Sequence, residues 1–363
     1  MIFNSIIPLP YYTPVFYNTL LILVLFVFIK LQTKGYIIYN PKKKEYASLA
    51  LLLAVTLYMG LRPISGRYFG DMGMYNIEFE HYARGGAIYK TRDLVWNVFM
   101  KFCSSIMSAK MFFLLCATLY ILPLYIACKK WLGVDRYFLF LMFIASFSFW
   151  AYGTNGIRNG IATSIFIFGI SYTHNKYLQY LIIALSYFIH GSMIIPITAF
   201  ALTLFYKNPK HYLIGWLLTI PISIIFGSLM ETFFMSLGFG GTRAGYLTMN
   251  EFDEQFSSTG FRWDFLVYSA AAVYTGYFFI VKRKFEDPIY IQLFNIYVTA
   301  NAFWILIIRA AFSNRFAYLS WFLMAVIIFY PFFKAKLFKN QQKILAYLIL
   351  IYFSFTYLMF LIL

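Results

Sequence analysis

Apolar positions along this 363-residue chain fall in long, nearly unbroken blocks. They show neither the alternation of a half-buried strand nor the one-sided stripe of a helix in a soluble protein. The blocks cover residues 15–30, 46–61, 111–128, 137–152, 158–173, 177–190, 192–206, 212–229, 263–281, 289–308, 316–333 and 344–362. A bilayer crossing by a helix takes about 20 apolar residues, with some tolerance on either side. The pattern predicts an all-α polytopic membrane protein with about 12 transmembrane helices. Residues 177–190 and 192–206 are short for spans and are read alternatively as a tilted pair or a broken helix. A further stretch, 94–107, is apolar but short and carries Lys101, which predicts an interfacial helix and not a crossing.

The polar segments between blocks set the orientation. Lys42 to Lys44, Lys129-Lys130, Lys207 to Lys210, Lys282-Arg283-Lys284 and Lys334 to Lys343 form short basic runs. The positive-inside rule assigns such runs to the cytoplasm. All of them reach that side only if 94–107 does not cross, which leaves both termini outside. On this layout residues 1–363 are a single transmembrane domain with two long outer loops, 62–110 and 230–262. The second loop is rich in Gly, Ser and acids, and long loops are where binding and catalysis concentrate.

Composition narrows the classes. Only 12% of residues are charged, against about 25% in soluble domains, too few to cover a water-facing surface. The net charge of +17 comes in short Lys-containing runs between apolar blocks, so anionic lipid headgroups and not nucleic acid are the implied partner. Cys103, Cys116 and Cys128 lie in or beside apolar blocks without metal-ligand spacing, and the four His form no metal pair; no metal and no cofactor are expected. The neutral start before the first block lacks the basic segment and cleavage site of a signal peptide.

The split between Lys and Arg carries more. Sixteen of 19 Lys fall on the cytoplasmic side, whereas nine of 11 Arg fall on the outer side or its membrane edge: Arg62, Arg67, Arg84, Arg92, Arg158, Arg243, Arg262, Arg309 and Arg315. Outer positive charge opposes the insertion rule. The planar guanidinium fork suits phosphate and carboxylate oxygens. Pairing with the outer acids is the alternative, most of all for Arg84, Arg92 and Arg262.

Five constellations stand out. Arg67-Tyr-Phe-Gly-Asp71-Met-Gly-Met-Tyr75 sets a carboxylate between glycines, where it is either aimed at a substrate or caps the next helix. Asn155-Gly-Ile-Arg158-Asn159-Gly-Ile-Ala162 places donors at a helix N-terminus, a site that attracts anions; snorkelling Arg and small-residue packing is the alternative. His190-Gly-Ser192 offers a proton acceptor near neutral pH, or a His bonded to a neighbouring carbonyl. Arg309-Ala-Ala-Phe-Ser-Asn314-Arg315-Phe-Ala-Tyr318 is a short turn flanked by Arg, which serve either an anion or topology. Arg243 sits in a Gly-rich loop as a ligand clamp or as the partner of loop acids. Together they imply an anionic, partly membrane-embedded ligand reached from outside, and a lipid diphosphate meets all three conditions.

The order of these motifs resembles the EpsG-like group of Wzy-type polysaccharide polymerases. The resemblance rests on Gly-Asp71-x-x-x-Tyr75, Arg158-Asn-Gly-Ile-Ala162, His190-Gly-Ser192 and Asn314-Arg315-Phe-x-x-Tyr318. That group carries Gln where this chain has Asn159, and a His-x-Ser element where it has His190 and Ser192. It implies an architecture similar to membrane glycosyltransferases with lipid-linked donors. It also implies an O-antigen or capsule polymerase that joins undecaprenyl-diphosphate-linked repeat units at the periplasmic face of the bacterial inner membrane, without a metal. Arg158 and Arg315 are then expected on the diphosphate, with Arg309 and Arg243 in support. His190 or Asp71 is expected as the base, Asn155, Asn159, Tyr75 and Tyr318 near sugar hydroxyls, and Arg67 and Ser192 as further substrate-binding residues. Expected partners are the lipid-linked oligosaccharide, membrane lipids and a chain-length regulator protein. Rival readings are an O-antigen ligase or other lipid-linked-sugar transferase, a flippase, and an acyltransferase. No internal repeat supports the flippase, and the short Lys-rich cytoplasmic loops offer no acyl-CoA site.

Overall fold

A computed structural model describes residues 7–33, 41–89, 94–236, 260–310 and 314–362. Among these residues every regular element is helical. The chain separates into two compact units, Met1–Gly191 with Phe332–Leu363, and Ser192–Pro331.

In the first unit the helices are α1 (Leu9–Thr33), α2 (Pro41–Gly60), α3 (Gly66–Phe69), α4 (Met72–Ala83), α5 (Leu94–Ile106), α6 (Ala109–Leu132), α7 (Arg136–Ile144), α8 (Phe147–Thr154), α9 (Ile157–Ile170) and α10 (Lys176–Ile189). The second unit holds α11 (Ile194–Phe205), α12 (Pro209–Ser236), α13 (Trp263–Tyr277, extended by a π-turn over Phe278–Lys282), α14 (Pro288–Leu306), α15 (Asn314–Trp321) and most of α16 (Met324–Lys334). The closing helix α17 (Gln341–Ile362) belongs to the first unit. Each of the twelve apolar blocks lies on one of these helices or on a broken pair.

Seven helical stretches are long and apolar enough to cross a membrane. The longest, Ala109–Ile144, is a hairpin and not one rod. Gly133 turns the chain at a left-handed φ of 56°. The rings of Tyr125 and Phe140 consequently meet at 5.4 Å, where fifteen residues of straight helix would hold them about 22 Å apart. Shorter apolar helices account for other blocks: Ile157–Ile170, Lys176–Ile189 and Gly191–Phe205. Fourteen residues rise only about 21 Å, less than the roughly 30 Å hydrocarbon core. The expected interfacial stretch is α5, 13 residues long and shorter still. It buries Trp96, Asn97, Met100 and Cys103 at helical spacing and leaves Leu94, Val98, Phe102 and Ile106 exposed.

Local chemistry marks the helix starts. The Asn175 carboxamide accepts from Leu178 N–H (3.1 Å) ahead of α10. The Asp287 carboxylate accepts from Tyr290 N–H (3.0 Å), with Pro288 in the first turn of α14, where its missing N–H costs nothing. At the turn between α6 and α7, consecutive charges of α2 meet consecutive charges of opposite order. Lys44 Nζ lies 2.7 Å from the Asp135 carboxylate, and Arg136 lies 2.8 Å from the Glu45 carboxylate. The rest of the Arg136 guanidinium donates to the Tyr125 hydroxyl and the Gly133 carbonyl, both at 2.9 Å.

The second unit is cross-braced by a polar cluster inside its apolar core. Trp216 of α12 donates to Asn301 Oδ1 of α14 (2.8 Å). The Asn301 amide nitrogen donates to Ser269 Oγ of α13 (3.1 Å) and Ser320 Oγ of α15 (3.0 Å). Trp321 donates to the same Ser269 hydroxyl (2.6 Å). Four helices therefore converge on one carboxamide, and in a medium without water each bond replaces an unsatisfied group. Replacing Asn301 with Leu keeps the volume but strands these donors and acceptors. We expect Asn301→Leu to lower unfolding stability in detergent by about 1–2 kcal/mol. A melting curve superposing on wild type would remove the cluster from the account of stability.

Candidate functional site

The site grows from two helix starts, those of α4 and α9. Gly70 precedes α4 with φ 56° and ψ −120°, a conformation closed to side-chain-bearing residues. Space is short there as well: a Cβ on Gly70 would fall 2.4 Å from Asn155 Oδ1. That crowding brings the Asp71 N–H to Asn155 Oδ1 at 2.9 Å. Asp71 stands at the N-cap position of α4, yet its carboxylate makes no capping hydrogen bond. The capping alternative is therefore set aside: the backbone of Asp71 is engaged and its half-buried carboxylate is left unspent among the described residues.

One turn along α4, the Tyr75 hydroxyl accepts from Arg158 Nε at 3.0 Å. The same guanidinium lies 5.6 Å from the Tyr75 ring centroid. Tyr75 is buried and packs edge-on against Trp96 of α5 (5.8 Å). Arg158 sits in the first turn of α9, where the helix dipole also favours an anion. Two bonds thus join α4 to the break between α8 and α9, and they bring Asp71, Tyr75, Asn155 and Arg158 into one place. Asn159, buried, follows directly in α9.

His190 reaches the same end of the first unit through α10. Gly169 packs against Ile183, and Gln179 donates to the Ile170 carbonyl (3.3 Å), which sets α9 and α10 antiparallel. Continued, that register carries His190 to the end of the pair where Arg158 and Asn159 lie. His190 is buried, and its N–H caps α10 through the Ser186 carbonyl (3.1 Å).

Arg62 was counted among the outer Arg residues but given no role, and the structure gives it one. Its side chain is 2% exposed. It donates to the Met59 carbonyl and, at 3.2 Å, to the Thr154 carbonyl. Its guanidinium also lies 5.4 Å from the ring centre of Phe69 and 6.0 Å from that of Phe113. Thr154 ends α8, so Arg62 satisfies a carbonyl orphaned by the helix break next to Asn155. The signal in the sequence was an Arg directly after a span with no acid close by.

The remaining candidates part company. Arg67 is exposed, 5.7 Å from the ring centre of its neighbour Tyr68. Arg262 is neutralised by Asp264 through a two-pronged pair (2.9 and 2.6 Å). Arg309, Arg315, Tyr318 and Ser192 belong to the second unit. Exposed Arg309 donates to the Ile224 carbonyl (3.2 Å) beside Phe226, whose φ of −119° kinks α12. Arg315 and Tyr318 share a face of α15, with Tyr318 buried 5.6 Å from the Trp321 ring. Arg243 and Arg92 lie outside the described residues. The small-residue question in the Arg158 motif resolves toward packing at Gly160, where a Cβ would meet the Tyr152 carbonyl at 2.7 Å.

The profile of the EpsG family matches residues 51–363, most of the chain and the whole of this site. The chain belongs to the EpsG family. No curated protein and no solved structure matches it. EpsG-family membership suggests a glycosyltransferase-like polysaccharide polymerase. The cation-and-carboxylate geometry around Arg158 is then this EpsG-family chain's candidate centre.

Gly70 tests the joint between α4 and α9. Gly70→Ala meets both a forbidden φ and the Asn155 side chain, and should cost about 1–3 kcal/mol of stability. Adding Asn155→Ala relieves the clash but not the backbone, so the double variant should regain part of the loss. A double-mutant cycle read by thermal unfolding in detergent checks this. Strict additivity would mean that the two residues do not press on each other.

Proposed function

We propose that this EpsG-family chain joins undecaprenyl-diphosphate-linked oligosaccharide repeat units at the periplasmic face of the bacterial inner membrane. The observation that supports the reading is the bond from Arg158 to Tyr75, next to the unspent Asp71 carboxylate. A permanent cation and a free base held at one helix junction match what glycosyl transfer from a diphosphate requires.

In the proposed reaction a sugar hydroxyl of one unit attacks the anomeric carbon of the sugar on the other unit's lipid diphosphate. The new C–O glycosidic bond forms as the C–O bond to diphosphate breaks, and its electron pair leaves with the diphosphate. Negative charge therefore grows on the diphosphate oxygens. Arg158, oriented beforehand by Tyr75, would stabilise that charge more in the transition state than in the ground state. The hydroxyl proton passes to Asp71 or His190, each a competent general base. Asn155 is occupied at Oδ1 by the Asp71 N–H, which leaves its NH₂ for a sugar hydroxyl. Arg315 and Arg309, in the second unit, are proposed as anion contacts in their own right. Among the described residues Arg309 makes one hydrogen bond, to the Ile224 carbonyl, which leaves it further donors. A chain-length regulator protein is the proposed partner.

The surface-polysaccharide ladder on a gel tests this. A strain lacking the gene should cap its lipid with a single repeat unit. Arg158→Ala, complemented at matched protein level, should do the same, with joining reduced by about 100-fold or more. A deletion strain with no units at all on the outer face would mean that transport or ligation is the missing step. Full-length ladders with Arg158→Ala would remove Arg158 from the mechanism.

A further inference from the structure

Helix α4 turns one face to Arg158 and another to a cavity of about 460 Å³ lined by Asn76, Ile77, Glu80, His81, Arg84 and Gly86. That volume lies within the range of small-ligand sites, about 300–1,000 Å³. Asn76, Glu80 and Arg84 follow one another at intervals of four and so form one stripe along the helix. Their chemistry is unspent. The Asn76 side-chain oxygen is buried without a hydrogen-bond partner among the described residues. Glu80 and Arg84 are both exposed and, among the described residues, neither forms an ion pair, although this spacing ordinarily closes one.

The wall beside them is built from close contacts. The His81 ring stacks on Tyr89 at 4.9 Å and 13°, and its Nε2 lies 3.2 Å from the Ala87 carbonyl. Gly86 presses so close that a Cβ there would come within 2.2 Å of that nitrogen. Lys101 of α5 holds the turn by donating to the Gly86 carbonyl (3.0 Å). Acceptors, one cationic donor and a fixed ring thus surround an open space.

We propose that this cavity is a saccharide subsite, binding hydroxyl-rich sugars of the glycan remote from the lipid diphosphate. Glu80 accepts from sugar hydroxyls, Arg84 donates to hydroxyl or ring oxygens, and the His81 ring offers a flat wall. The Glu80 carboxylate disfavours a phosphate there. Thirteen residues of helix, from Asp71 to Arg84, span about 20 Å, so a glycan held here extends well away from the reacting bond. The assignment rests on the polymerase reading for the identity of the glycan, but not for the binding itself.

The test uses full-length protein in lipid nanodiscs. The probe is lipid-free oligosaccharide fragments cut from the host cell's own surface polysaccharide, followed by saturation-transfer NMR and calorimetry. Wild type should bind the fragments, and Glu80→Gln and Arg84→Met should each weaken binding by about tenfold. Both positions are exposed, so folding should be unaffected, and unchanged melting curves will verify it. In cells the two variants should still join units but yield shorter chains. Wild type that ignores the fragments, or variants that bind as wild type does, would overturn the subsite. Variants that abolish joining altogether would also overturn it, because the residues would then belong to the reacting centre. If polymer persists in the gene deletion, the polymerase reading falls on that result alone, while the binding titration still decides the cavity.

Discussion

A helix that stops inside a membrane protein leaves carbonyl groups that no water reaches, and the protein itself must supply their donors. This fold stops its helices often, and a side chain repeatedly answers the break. Arg136 donates to Gly133 at the hairpin turn, Thr356 to Ala145 between α7 and α8, and Arg62 to Thr154 where α8 ends. Gln341 donates to Phe332 and Ala335 past the end of α16, and in the second unit Arg309 donates to Ile224 at the kink of α12. Short, broken helices are what allow polar residues to stand at helix starts within an apolar body. The candidate site exists because the break at residues 154–156 is stabilised from below by Arg62 and from the side by Gly70 and Asp71.

The same constraint explains which parts of the architecture were legible in the sequence. Each apolar block became helical, as one helix or a broken pair, because burial in lipid fixes the backbone state regardless of neighbours. The breaks were less visible. In 137–152 only Ser146 and Ser148, and in 316–333 only Ser320, put a small polar residue into the apolar run, too weak a signal to announce a stop at Ala145 or near Phe322. Gly133 was legible only as a turn residue; that it folds Tyr125 back onto Phe140 is a matter of tertiary packing.

The Arg residues expected on the outer side divide along a line that no single sequence can draw. Arg62, Arg309 and Arg262 share with Arg158 the residue type and the side expected from the sequence. Two of them serve orphaned carbonyls and one serves an adjacent acid. Arg158 is set apart by Tyr75, 83 residues away, and Asp71 is set apart by Asn155, 84 residues away. Both partners were named as candidates on chemistry alone. Their pairing was hidden because it depends on two helix starts meeting at one point.

The charge exchange between Lys44-Glu45 and Asp135-Arg136 has a consequence in time. The two partners are separated by 91 residues. At the usual pace of translation, about 5–20 residues per second, roughly 5–18 seconds pass between their emergence from the ribosome. Through that interval the charged start of α2 lacks these two partners, while its other end can already pair with α1 through the Tyr12 and Tyr58 hydroxyls. When the α6–α7 hairpin arrives, each newly made charge finds its opposite already waiting. Neither ion pair can therefore close before the α6–α7 hairpin is made, because its turn carries both of the later charges.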